Sequence, residues 1–349
     1  MMRHLMQRER WSLVVAVGWP CCSLVGFGCM AAPQEPPAVV VGTGGRWEQL
    51  APLSSPRQEH AVVAFGGEVI VVGGFDDTTT VAAVDAFDPV ANGWRSLPPL
   101  PLPLHHPNAA VVDGGDGGDG GDGQRLVVGG FLLGADFRQD ARTLVFDGAA
   151  WREGASHPPA EARGASATCA IDGAVYVFGG LNIGSTAQAS RYVVDDDRWE
   201  PLPPLPRRLD HVLCVPHDGA LWIVSGRENG LGNHTGTLLR FDPVSQTYSE
   251  RSPMPTSRAG AAAAVVGDGI TAALYVVGGE GNAEAPSGVF ASAERYLFAE
   301  DRWAEVVGMR TPRHGMGAAV IDGAVYVPGG ATVQGFGAVD VHERFVPEP

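Results

Sequence analysis

The chain has 349 residues, of which 48 are glycine and 27 proline, and 45% are hydrophobic. That mix suits many short strands joined by tight turns and excludes disorder, which lacks the apolar residues for a core. The 24 basic residues are all arginine, and 39 acidic residues leave a net charge of −15. This balance argues against nucleic acid as the partner, and the absence of lysine removes any lysine nucleophile or Schiff base.

In chain order, the first feature is a targeting segment. Arg3, Arg8 and Arg10 give a positive start, and a mostly apolar stretch follows from Trp11 to Gly28. It is short for a membrane-spanning helix and fits a signal peptide over residues 1–29. Its end, Gly26-Phe27-Gly28-Cys29, resembles the processing site of bacterial lipoproteins, in which the cysteine receives the lipid. The resemblance implies an exported protein at the cell envelope, periplasmic, lipid-anchored through Cys29 or extracellular; plain secretion and an uncleaved anchor are the alternatives. Any membrane contact is expected only through that anchor. Residues 30–45 read as a Pro/Gly-rich linker.

From residue 46 the sequence repeats. A glycine doublet closes an apolar run at Gly73-Gly74, Gly129-Gly130, Gly179-Gly180, Gly278-Gly279 and Gly329-Gly330, and Ser225-Gly226 takes the sixth place. The mean spacing is about 51 residues. The preceding runs, such as Val175-Tyr176-Val177-Phe178, are apolar on both faces and so predict strands covered from both sides. After each doublet comes an aromatic (Phe87, Phe146, Tyr192, Phe241, Tyr296, Phe345), and a second follows the first five at Trp94, Trp151, Trp199, Tyr248 and Trp303. Phe345 has no second aromatic after it, while Trp47 stands unpartnered at the start. An N-terminal strand that completes the last repeat closes the ring and protects its edges.

This pattern of doublet, aromatic and tryptophan resembles the Kelch repeat family over most of residues 46–349. The resemblance implies an all-β fold: a six-bladed β-propeller of Kelch repeats, closed by the N-terminal strand. It implies a protein- or ligand-binding module, with a carbohydrate-active enzyme of the propeller sialic acid mutarotase type as the alternative. The copper and iron sites of some Kelch proteins find no matching residues. Hydrolase, zincin and phosphate-loop motifs are absent too, so catalytic residues are not identified and neither cofactor nor metal is expected.

Connections between blades share a face with the loops between second and third strands. They carry Arg57, Arg163, Arg208, Arg258 and Arg313, with His60, His105, His211 and His314 close by. Arginine suits carboxylates, so one reading is a ring that binds an acidic peptide or acidic sugar. The other is that these arginines pair with local carboxylates and cap carbonyls. A pocket of convergent Arg, His and carboxylates favours an enzyme; exposure of Phe75, Phe131, Leu132 and Phe336 favours a protein partner.

Cys169 and Cys214 sit in apolar runs and read as two buried thiols, although an oxidising compartment allows a bridge. Aspartates every third residue over 113–123 read as a loop grown from a sequence repeat, with calcium attraction as the alternative.

Overall fold

The computed structural model describes residues 39–77, 79–113 and 123–348. The segment expected to be a signal peptide, Cys29 and most of the Asp/Gly run lie outside them. Among the described residues no helix is long and apolar enough to cross a membrane.

Six antiparallel sheets form the blades of a ring. In blade one the strands Ala61–Phe65, Glu68–Val72, Val84–Asp88 and Gly93–Ser96 run in order from the axis outward. The other blades begin at Ala109, Ala167, Leu213, Ala262 and Ala319. Second strands are buried along their length, as in Ala174–Phe178 and Ala220–Val224, because each blade is covered by the next.

The N-terminal strand closes the ring as the sequence predicts. Gly45–Gln49 pairs with His342–Pro347, and Trp47 stands opposite Phe345. The other five aromatic pairs face each other in the same register, Phe87 to Trp94 through Tyr296 to Trp303. The outer aromatic also ties each blade to the one before it. Trp94 Nε1 donates to the Ala51 carbonyl (3.0 Å), Trp303 Nε1 to that of Ser252 (2.8 Å) and, in blade four, the Tyr248 hydroxyl to that of Pro203 (2.7 Å).

Two expectations are corrected. The linker does not run to residue 45, since Val39–Gly42 adds a fifth strand to blade six by pairing with Gly45–Gln49. In blade two the strand continues through its doublet, and Arg125–Leu133 and Arg138–Phe146 form one long hairpin with a register shift between Gly129 and Phe131. Cys169 and Cys214 are not separate thiols. They form a disulfide between the innermost strands of blades three and four, with Cα atoms 5.4 Å apart.

Elsewhere the doublets turn the chain. Gly179 and Gly180 have φ of 63° and 112°, and a Cβ on Gly180 would stand 2.7 Å from the Gly164 carbonyl oxygen. The doublet is needed both for left-handed backbone and for close approach of the inter-blade connection.

Candidate functional site

The chain enters each blade through one residue with left-handed φ: Glu59 (53°), His106 (50°), Ala165 (53°), His211 (48°), Gly260 (56°) and Gly315 (62°). Their backbones form a closed circle of hydrogen bonds. The amide of Glu59 donates to the carbonyl of Gly315 (2.7 Å), His106 to Glu59 (2.8 Å), Ala165 to His106 (3.1 Å), His211 to Ala165 (2.8 Å), Gly260 to His211 (3.1 Å) and Gly315 to Gly260 (2.8 Å). Every blade thus contributes one residue to a collar around the axis.

Two residues before each collar position stands Arg57, Leu104, Arg163, Leu209, Arg258 or Arg313. The four arginines are fully buried. Arg57 pairs with Asp85, Arg258 with Glu294 (2.9 Å) and Arg313 with Glu343 (2.9 Å). Arg163 donates to Ser190 Oγ (2.8 Å) and to the carbonyls of Glu161, Val177 and Gly179. The expectation of an arginine ring open to ligand is therefore corrected for these four, which are buried inside the blades and bonded there to backbone carbonyls, a serine hydroxyl or carboxylates. Arg208, offset by one residue before Leu209, is exposed on the inter-blade connection.

The histidines divide. His60 lies behind the collar, where its Nε2 meets the Pro328 carbonyl (3.0 Å); burial and the Arg57 charge push it down to about 3. His105 is buried beside His106 and meets the Gly134 carbonyl (3.0 Å), with burial pushing it down to about 4. His211 and His314 reach the floor of a funnel at the channel mouth, together with Glu59, His106, Arg227 and Glu280.

On that floor His106 Nε2 lies 3.1 Å from Glu59 Oε2 and 3.1 Å from His211 Nε2, and His211 Nε2 lies 4.0 Å from Glu59 Oε2. One donor atom from each of the three fits within 4.8 Å of the others, the geometry of a metal-ligand set. Sequence spacing concealed it because the three residues come from three blades; Glu59 gave no signal at all, and only the repeat register would have aligned it with His106 and His211.

Asp210 Oδ1 accepts from His211 Nδ1 (2.6 Å) and from Arg227 Nε (2.8 Å). Burial pushes the Asp210 carboxyl up, but the hydrogen bond and charge of His211, with Arg227 and Ser185, outweigh it and hold it at about 2. Arg227 also pairs with Glu280, so the guanidinium on this floor is bound between two carboxylates.

The funnel walls are apolar: Phe75, Phe137, Leu231 and Phe336. Of the residues whose exposure would mark a protein-binding face, Phe75, Phe131 and Leu132 are buried and Phe336 is 48% exposed. Val333 on the same loop, and Ile183 and Leu231 on two other loops of that face, are exposed as well.

Comparison with known proteins agrees with this architecture. The Kelch motif model matches residues 56–101 and 162–206. The chain is 30% identical over 348 residues to Kelch-like protein terF of Aspergillus terreus, covering 93% of this chain and 72% of that protein. It is 27% identical over 197 residues to Kelch-like protein 35 of Mus musculus, covering 56% of this chain and 32% of that protein. The solved structure of YjhT superimposes with a TM-score of 0.68 at 15% identity, covering 84% of this chain and 96% of that one. That likeness concerns the fold alone. With the repeat register, the closed six-blade ring and a relative matched over most of both lengths, the chain belongs to the Kelch-repeat family.

Proposed function

We propose that this Kelch propeller is a binding module that receives a partner protein on its loop face, at the cell envelope of a bacterium. The observation that carries the reading is the set of exposed apolar side chains on that face: Ile183, Leu231, Val333 and Phe336 stand on three separate loops, and two of them wall the funnel. Large apolar groups rimmed by polar loops mark interaction surfaces. An acidic ligand is less well supported, because Arg57, Arg163, Arg258 and Arg313 are fully buried inside the blades, out of its reach.

The test is quantitative capture from envelope extract with the wild-type chain and with a Leu231→Asp/Phe336→Asp variant. A partner retained by the first and lost by the second, with both melting alike, supports the reading. Equal capture by both would overturn it. The envelope location rests on residues 1–29 and is tested by fractionation and by lipid labelling of a Cys29→Ala variant, in which an anchored protein becomes soluble.

A second reading, a propeller enzyme acting on a carbohydrate, is favoured by the convergence of Glu59, His106, His211, Glu280 and His314 on one floor. Turnover of a sugar that is lost in Glu59→Gln would move the assignment to it.

A further inference from the structure

We propose that Glu59, His106 and His211 form a site for one divalent transition-metal ion on the propeller axis. The inference stands apart from the partner reading and needs no partner to be tested.

The argument is a count of donors and lone pairs. The Gly134 carbonyl can only accept, so His105 Nε2 carries the proton that meets it, and a neutral His105 leaves a lone pair on Nδ1. That Nδ1 faces His106 Nδ1, which must then donate. His106 Nε2 is left as a bare lone pair aimed at Glu59 and His211. On the other side, Asp210 accepts from His211 Nδ1, which leaves the lone pair of a neutral His211 on Nε2, 3.1 Å from that of His106. Arg227 Nη2 reaches it at only 3.4 Å. His314 adds to the excess: its Nε2 meets the Val333 carbonyl (2.8 Å), and its buried Nδ1 has no hydrogen-bond partner and stands 3.8 Å from Glu59 Oε1. Two imidazole lone pairs and a carboxylate at such range repel unless a cation lies among them.

The dimensions suit a small ion. A metal about 2.0–2.1 Å from nitrogen and about 2.0–2.2 Å from oxygen sets its ligand atoms about 2.9–3.4 Å apart. Two of the three separations are 3.1 Å, and the third, 4.0 Å, needs to close by less than an ångström. Asp210 behind His211 is the carboxylate–histidine arrangement that orients a metal-bound imidazole. The collar supplies room: Ala165, Gly260 and Gly315 carry no ligand, and a Cβ on Gly315 would fall 2.6 Å from Glu59 Oε1. Two imidazoles and one carboxylate with open positions suit zinc, iron(II) or cobalt(II) rather than calcium.

The experiment uses the full chain with Cys21→Ser, Cys22→Ser and Cys29→Ser, which removes competing thiols, and no histidine tag. Co²⁺ and Zn²⁺ are titrated by visible absorption and calorimetry, with Ca²⁺ as control. The expected result is one equivalent of Co²⁺ or Zn²⁺ bound and a raised melting point. Glu59→Gln, His106→Asn and His211→Asn should each weaken binding at least tenfold; asparagine is chosen because it tolerates left-handed φ. Asp210→Asn should weaken it by roughly 10–100-fold. No binding by the wild-type chain at millimolar metal, or equal binding by the three ligand variants, would overturn the proposal. In the first case a proton on His211 bridges the imidazoles instead.

Discussion

Arg258 Nη2 lies 2.9 Å from Glu294 Oε2 in the fifth blade, and in the fourth blade the same two positions hold Leu209 and Leu239. The second blade repeats the exchange with Leu104 and Leu144, and both leucine pairs pack within buried clusters. The protein therefore builds one structural position in two ways, as a buried ion pair or as an apolar contact. Burial pushes Arg258 down and Glu294 up, so in both partners desolvation outweighs the attraction between them. That balance is why an apolar pair can replace the ionic one.

It follows that Arg258→Leu alone leaves Glu294 buried without its partner and should cost about 3–5 kcal/mol. Arg258→Leu with Glu294→Leu should recover at least half of that loss. Urea unfolding of the wild type, both single variants and the double variant gives the coupling directly. A double variant less stable than either single one would show that the carbonyls capped by Arg258 matter more than the pair.

The Cys169–Cys214 bridge spans 45 residues between adjacent blades. Closing a loop of that length removes chain entropy worth about 4 kcal/mol from the unfolded state. Reduction should lower the melting point without changing the fold, and Cys169→Ala/Cys214→Ala should show the same loss and no further response to reductant. Mass spectrometry of the unreduced chain should find the two cysteines linked.

Stability should fall on mild acidification. Burial, with nearby arginines, holds His60, His157 and His342 at about 3. In the unfolded chain these groups titrate near about 6.5, so below that pH the unfolded state takes up protons that the folded state refuses. Each histidine then costs about 1.4 kcal/mol per pH unit until the pH reaches its folded value. The unfolding free energy should be level above about pH 7 and decline steeply from about pH 6 to pH 4. His342→Leu should make that decline shallower by one histidine's share.

Ala165 holds a collar position with φ of 53°, a conformation that costs an L-residue about 1 kcal/mol. Gly260 and Gly315 occupy equivalent positions without that strain. Ala165→Gly should therefore stabilise the chain slightly or leave it unchanged, and thermal unfolding measures it. A marked loss would show that the Ala165 methyl packs in a way that the collar needs.

The blades were legible because their signals are local and recur. Phe87 with Trp94 and Tyr296 with Trp303 keep one offset, and the unpartnered Trp47 and Phe345 announced ring closure, later seen as directly opposed residues. The arginines misled because residue type says what a side chain can bind, not which way it points; Arg57 and Arg313 turn inward to carbonyls and carboxylates of their own blades. The fifth strand of blade six was missed because Val39–Gly42 gains its pairing only once Gly45–Gln49 is held in place.

The sequence by itself determined the number of blades, their aromatic ladders and the strand that closes the ring, since each follows from a short pattern whose meaning does not depend on distant residues. Tertiary structure alone decided that Glu59, His106 and His211 meet. His106 and His211 are 105 residues apart in the chain, yet a closed ring carries the same register position of every blade to one axis, where their ring nitrogens stand 3.1 Å apart.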